Sequence, residues 1–277
     1  MAPGKQSAEG SSSREAAFGP RRCPEHGSAP PLNPSRSRGG HLSHTDTVAA
    51  VFLDRDGVLN DQTAFVNKPE DFNLLPGAAA AVARLNRAGI PVVVITNQGG
   101  IALGYLTEDD LARIHARMAA LLAAEGAHVE AVFYCPHLPP SFADRQVPPM
   151  PAEGSSALGQ ADFDPRRCNT DAAPTVPHMP NAIPEYAEDC ADRKPGTGML
   201  EKARDDLDLD LRRSVLVGDA TTDILAGIRA GCRTILVRTG LAGKDGKAVA
   251  EPDRVAADLT EAVSIILDEL LPTAERS

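Results

Sequence analysis

Two carboxylates flank an arginine in Phe52-Leu53-Asp54-Arg55-Asp56-Gly57, and a second pair, four residues apart, sits in Val217-Gly218-Asp219-Ala220-Thr221-Thr222-Asp223. Between them lie a hydroxyl in Ile95-Thr96-Asn97-Gln98 and a lysine in Arg193-Lys194-Pro195. Together these supply what is needed to move a phosphoryl group onto an aspartate: a carboxylate nucleophile, a second carboxyl for proton transfer, a fixed cation and oxygen ligands for a metal. In an extended chain residues i and i+2 point the same way, so Asp54 and Asp56 can address one phosphate.

Such side chains need a scaffold that brings distant segments together. Each follows or adjoins an apolar run, as expected where parallel strands end at a common carboxyl edge. The pattern predicts strands at 48–53, 90–95, 129–134, 214–217 and 234–237. Helices are expected at 76–88, closed by Gly89, at 107–125 with Thr107 as cap, at 199–207, at 224–230 and at 255–271. Leu111, Ile114, Met118, Leu121 and Leu122 mark one face of the second helix. Repeated strand and helix units imply right-handed crossovers and an α/β domain, Rossmann-like, its parallel sheet covered on both faces.

Composition narrows the partners. Of 277 residues 42% are hydrophobic, enough for a sizeable core. Aromatic residues make up 4% with no Trp, and the net charge is -10, which argues against stacking on or attracting nucleic acid. Residues 1–45 hold six basic and three acidic side chains, a balance of +3, so the remainder carries -13 and suits a body that holds a cation. We expect no membrane partner and a cytoplasmic location, since neither an apolar run of spanning length nor a signal core is present, and we expect a monomer. Five cysteines, an odd number, do not suggest a disulfide framework. Residues 1–45 are read as an unfolded tail and 46–277 as one domain. Within it, 138–189 contains ten of the 23 prolines and reads as an excursion from the sheet.

The four segments, in this order, resemble the motifs of the haloacid dehalogenase superfamily of aspartyl phosphotransferases. With Ile95-Thr96-Asn97-Gln98-Gly99-Gly100-Ile101, Cys135-Pro136-His137 and Arg193-Lys194-Pro195, the similarity narrows to the branch holding heptose-bisphosphate phosphatases and the histidinol-phosphatase domain. It covers roughly 48–138 and 190–243. The resemblance implies the superfamily's sheet order, no large cap domain and a small phosphorylated sugar or metabolite as substrate. Hydrolysis of the 7-phosphate of heptose 1,7-bisphosphate is the implied reaction, with histidinol phosphate as the nearest alternative.

Residue roles follow from the same likeness. Asp54 would be the nucleophile, Asp56 the general acid and base, and Thr96 and Lys194 would stabilise the transferring group. Mg²⁺ would be held by Asp54, the Asp56 carbonyl and Asp219, with Asp223 orienting Lys194 or a metal-bound water. Arg55, Asn97, Gln98 and Arg193 are expected at the substrate, with the loop 61–66 near them. Relatives also place Cys-x-His and Cys-x-Cys around a tetrahedral zinc. Here Cys135, His137 and Cys190 match, but Asp192 takes the fourth position, with Cys168 or His178 as substitutes.

Blander readings exist for each part. Asp-x-Asp-Gly can be a turn or resemble the start of a calcium loop, yet the later Glu is missing. Asp219 and Asp223 can cap a helix, a role compatible with metal binding. Ser214 and Cys232 have no visible base partner and read as structural, and His115 and His128 as packing or solvated residues. A retired enzyme acting as a scaffold would not need Asp54, Asp56, Thr96, Lys194 and Asp219 all intact.

Overall fold

The computed structural model describes residues 48–61, 66–139 and 183–269. The tail, the loop residues 62–65 and most of the 138–189 excursion, including Cys168 and His178, lie outside the described residues.

Eleven main elements follow one another: β1 (Val51–Leu53), α1 (Ala78–Arg87), β2 (Val92–Asn97), α2 (Glu108–Ala124), β3 (Ala131–Cys135), α3 (Gly198–Leu207), β4 (Val215–Gly218), α4 (Thr221–Ala230), β5 (Arg233–Val237), β6 (Arg254–Ala256) and α5 (Leu259–Glu269). The strands form one parallel sheet in the order β3-β2-β1-β4-β5-β6. Strand alternation divides the core in two. Val51, Leu53, Val92, Val94, Val215 and Val217 pack with α1, α2 and α5 on one face. Phe52, Val93, Ile95 and Leu216 pack with α3 and α4 on the other.

Local chemistry sets the helix ends. Thr107 Oγ1 accepts from the Asp110 backbone N–H while the Asp110 carboxylate accepts from the Thr107 N–H, a capping box that opens α2. Leu111, Ile114, Met118 and Leu122 are buried as expected, but His115 is buried among them. At the far end of the sheet the expectation of a helix over 255–271 is corrected. Arg254–Ala256 is an edge strand paired with β5, and the helix begins at Leu259 behind Asp258, whose carboxylate accepts from the Glu261 N–H. Only Ala256 of that strand is buried, so three residues with a polar neighbour offered no alternation to read. The first strand is also shorter than expected, starting at Val51. Among the described residues no helix is long and apolar enough to cross a membrane, and no cap domain separates β1 from α1.

Candidate active site

The middle of the sheet gathers the chemistry. Strand β1 lies between β2 and β4 with Leu53 level with Val94 and Val217, so the chain leaves all three strands at the same edge. Asp54 follows β1, Thr96 and Asn97 end β2, and Asp219 follows β4. The Asp54 N–H donates to the Val217 carbonyl at 3.0 Å, which extends the pairing into the site. Gly57 turns the chain away with φ 84°, a conformation open to glycine, and Thr239 Oγ1 donates to its carbonyl at 2.6 Å.

Lys194 is the hub. Its Nζ lies 2.8 Å from Asp54 Oδ1 and 2.7 Å from Asp223 Oδ1, and donates to the Ile95 carbonyl at 3.0 Å. It is 4% exposed. Burial alone would favour the neutral amine, but Asp223 and Asp54 outweigh it and hold the pKa above the ordinary lysine range. Asp54 Oδ1 also accepts from the Arg55 backbone N–H at 2.6 Å. Carboxylate oxygens of Asp54, Asp219 and Asp223 come within 4.8 Å of one another. Burial, then repulsion by Asp223, pushes Asp54 up to about 7; burial with Asp223 and Asp54 pushes Asp219 up to about 8. Crowded anions facing a single lysine are what a divalent cation relieves, so the donor set fits Mg²⁺.

Asp56 sits in a different environment. Its Oδ1 accepts from Arg55 Nε (3.2 Å), Arg55 Nη2 (3.0 Å) and Asn60 Nδ2 (3.0 Å), and its Oδ2 from Arg55 Nη2 (2.9 Å) and Gln98 Nε2 (3.0 Å). Burial works to raise its pKa, yet Arg55 and these hydrogen bonds hold it below the usual carboxylate range. Gln98 Nε2 also donates to Thr96 Oγ1 at 2.8 Å, tying the hydroxyl to the same network.

Several residues expected at the substrate face other groups. Arg55 is 1% exposed, and its guanidinium is occupied by Asp56 and by His115 Nε2 at 3.3 Å. Asn97 accepts from the Lys194 N–H and donates to its carbonyl, a reciprocal pair that places the lysine. The Lys194–Pro195 peptide is cis. Arg193 Nη1 donates to the His137 carbonyl at 2.8 Å and borders a cleft of about 520 Å³ shared with Asn97, Lys194, Arg229 and Lys247.

Cys135, His137 and Cys190 place a sulfur, a ring nitrogen and a sulfur within 4.8 Å of one another. Cys135 Sγ is 3.7 Å from His137 Nδ1, while His137 Nε2 lies 3.1 Å from Glu188. A soft donor set of this type fits zinc, and the outer carboxylate on the ring is the usual companion of a ligating imidazole. Asp192 is not brought to the cluster: its Oδ2 is 2.8 Å from Lys202 Nζ. Cys232 and Ser214 lie away from the site; burial pushes the Cys232 thiol up to about 12, and Ser214 Oγ donates to the Asp210 carbonyl.

Sequence reasoning read His115 as a packing or solvated residue and assigned no part to Asn60, Glu188 or the turn 239–243. The last closes over Asp219, with the Leu241 N–H donating to Asp219 Oδ2 at 2.7 Å and the Gly243 N–H to the Asp219 carbonyl at 2.7 Å. At Gly240, φ 60°, an added Cβ would collide with Asp219 Oδ2 and the Gly57 Cα. The spacing of Gly240 and Gly243 after β5 was its one visible sign.

A phosphoryl-transfer constellation on the carboxyl edge of this sheet defines the class. Residues 191–262 match the HAD-hydrolase-like family model, and the chain belongs to the haloacid dehalogenase-like phosphatases. Its relatives carry a narrower name. D-glycero-D-manno-heptose-1,7-bisphosphate 7-phosphatase of Thermosynechococcus vestitus is 39% identical over 228 residues, 80% of this chain and 97% of the relative. D-glycero-beta-D-manno-heptose-1,7-bisphosphate 7-phosphatase of Vibrio cholerae is 34% identical over 69% of this chain and 82% of its own length. Among solved structures, D,D-heptose 1,7-bisphosphate phosphatase of B. bronchiseptica, complexed with magnesium and phosphate, aligns with a TM-score of 0.58 at 32% identity, covering 79% of this chain and 99% of that one.

Proposed function

We propose that the chain removes the 7-phosphate of D-glycero-D-manno-heptose 1,7-bisphosphate through a phosphoaspartyl intermediate. The observation that carries the chemistry is the Lys194 hub, which binds Asp54 and Asp223 while Asp56 stands two residues on in its own hydrogen-bonded frame. The ester choice rests on the relatives and on a cleft whose Arg193, Lys194, Arg229 and Lys247 suit a substrate charged at both ends.

Asp54 attacks phosphorus and the ester P–O bond breaks, with Asp56 giving its proton to the departing oxygen. The arriving phosphate dianion favours the protonated form of Asp56, opposing the pull of Arg55. Water then attacks the phosphoaspartate, returns a proton to Asp56 and frees phosphate and Asp54. Thr96 and Lys194 supply a hydroxyl and a fixed charge to the transferring oxygens. Asp54, Asp219 and the Asp56 carbonyl would hold Mg²⁺, which neutralises the repulsion between nucleophile and phosphate. Asp223 orients Lys194. Cys135, His137 and Cys190 would hold a structural zinc that fixes the segment leading into Arg193 and Lys194, with Glu188 setting the tautomer of His137. A phosphorylated sugar as substrate accords with a cytoplasmic location, and a monomer suffices because one chain contains every residue named.

The test is phosphate release by the purified chain from a panel of esters with Mg²⁺. Heptose 1,7-bisphosphate should exceed histidinol phosphate in kcat/KM by about tenfold or more, a difference of about 1.4 kcal/mol in transition-state binding. Arg193→Ala should reduce the heptose value more than the histidinol value. Equal efficiency on the two esters, or preference for histidinol phosphate, overturns the substrate reading and leaves the phosphatase chemistry standing.

A further inference from the structure

We propose that His115 is a positioning residue for proton transfer: a neutral imidazole on α2 whose Nε2 accepts from Arg55 and so fixes the guanidinium that aims Asp56. This rests on the reading of Asp56 as the acid and base.

The geometry is a chain of three side chains. His115 is 2% exposed, and its Nε2 lies 3.3 Å from Arg55 Nη1. The other edge of that guanidinium, Nε and Nη2, grips both oxygens of Asp56. A guanidinium only donates, so Nε2 must carry a lone pair and the ring proton must sit on Nδ1. That Nδ1 is buried and has no hydrogen-bond partner among the described residues. Orphaning a buried donor is costly, and a residue present only for packing would more cheaply be one of the apolar types around it on the same face, Leu111, Ile114, Met118 and Leu122. The compensation is the bond at Nε2. Burial and the neighbouring Arg55 keep the ring neutral, with a pKa held at about 3, and Tyr134 stands edge-on with ring centroids 6.2 Å apart.

Nη1 is the guanidinium nitrogen that Asp56 does not use. With it anchored to α2, rotation of Arg55 about its long side chain is stopped, and Asp56 is held against Asn60 and Gln98 in one orientation. Without the anchor, Asp56 keeps its charge partner but loses its aim, which matters most when a poor leaving group needs its proton.

Leaving-group dependence therefore separates positioning from packing. His115→Met removes the strong acceptor while keeping an apolar side chain of similar length; His115→Gln keeps an oxygen able to accept from Arg55. Against a sugar phosphate turned over by the wild type, His115→Met should lose about tenfold or more in kcat. On 4-nitrophenyl phosphate, whose leaving group needs little protonation, it should lose less than about threefold. His115→Gln should regain most of the sugar-phosphate rate. Equal losses on both esters, or a Gln variant as impaired as the Met variant, overturn the proposal. Nitrogen-15 NMR of histidine-labelled wild-type protein tests the same contact without relying on any variant to fold: His115 must be the Nδ1–H tautomer, and an Nε2–H tautomer sinks the idea. Asp56→Asn run beside them should show the same ester dependence; if it does not, the acid role of Asp56 fails, while the tautomer still decides the Arg55 contact.

Discussion

Asp54 and Asp56 are separated by one residue and by opposite electrostatics. Asp54 faces two other carboxylates and is pushed up to about 7, whereas Asp56 faces Arg55 and is held below the usual range. Without cation or substrate these directions run opposite to the roles assigned: a cation beside Asp54 lowers its pKa toward the ionised nucleophile, and an arriving phosphate dianion raises that of Asp56 toward the protonated acid. Asp54→Asn should reduce turnover by about a thousandfold or more. Because the swap is nearly isosteric and removes one of three crowded anions, the melting temperature should hold or rise. Phosphate release and a thermal scan check both, and retention of more than a few per cent of wild-type activity would contradict the nucleophile. His115 makes a second prediction, on stability. Its pKa is about 3 when folded against an ordinary 6.5, so the unfolded chain takes up a proton that the folded one refuses. Its contribution is complete above about pH 6.5 and is lost as pH falls toward 3, with a slope of up to ~1.4 kcal/mol per pH unit. The urea midpoint of wild type minus that of His115→Met, taken at pH 7, 5.5 and 4.5, should fall steadily with pH; a constant difference would refute it.

At the scale of elements, the turn after β5 and the cysteine segment carry the expectations. Gly240→Ala puts a side chain at φ 60° against Asp219 and should cost about 1–3 kcal/mol while weakening the response to Mg²⁺. Denaturant unfolding and Mg²⁺ titration of activity measure the two effects. Purified under metal-replete conditions, the chain should contain about one zinc, and Cys190→Ser should remove it and lower the melting temperature. Elemental analysis showing no zinc in the wild type would dismiss that centre. The elements themselves were legible where burial left a pattern: apolar runs in β1, β2 and β4, and the apolar stripe of α2. The edge strand β6 was not, since it buries one alanine. Asp192, expected as a possible fourth ligand, pairs with Lys202 ten residues on, and nothing in Cys-x-Asp announces an ion pair.

Across the whole molecule, Asp54, Thr96 and Asp219 could be named from sequence because each ends or follows a strand, yet their mutual contacts could not. The Arg55–His115 pair spans 60 positions and joins a strand end to a helix face, a relation that only tertiary packing creates. Metal linkage is the property of the assembled molecule that is most readily measured. With Asp54 and Asp219 pushed up to about 7 and about 8, the folded metal-free chain retains protons that the unfolded chain has released. Their contribution to stability therefore falls as pH rises from about 4 to about 8, and a cation that displaces those protons reverses the loss. The rise in melting temperature on adding Mg²⁺ should be larger at pH 8 than at pH 6. Calorimetry with and without Mg²⁺ at the two pH values checks this, and equal increments would count against it.

Strand β1 is the first strand among the described residues and lies in the interior of the sheet, and one of its two neighbours, β4, pairs Val215 with Val51 across most of the described sequence. During synthesis β1 and β2 can meet early, but the nucleophile must wait for Lys194, β4 and the turn at Gly240 to leave the ribosome. Closing so long a loop is slow, and these partners lie more than 130 residues beyond Asp54. A nascent or truncated product therefore carries Asp54 without its cation or its lysine and stays inert toward the phosphate esters around it. Activity waits on the segment that carries Lys194, β4 and Gly240.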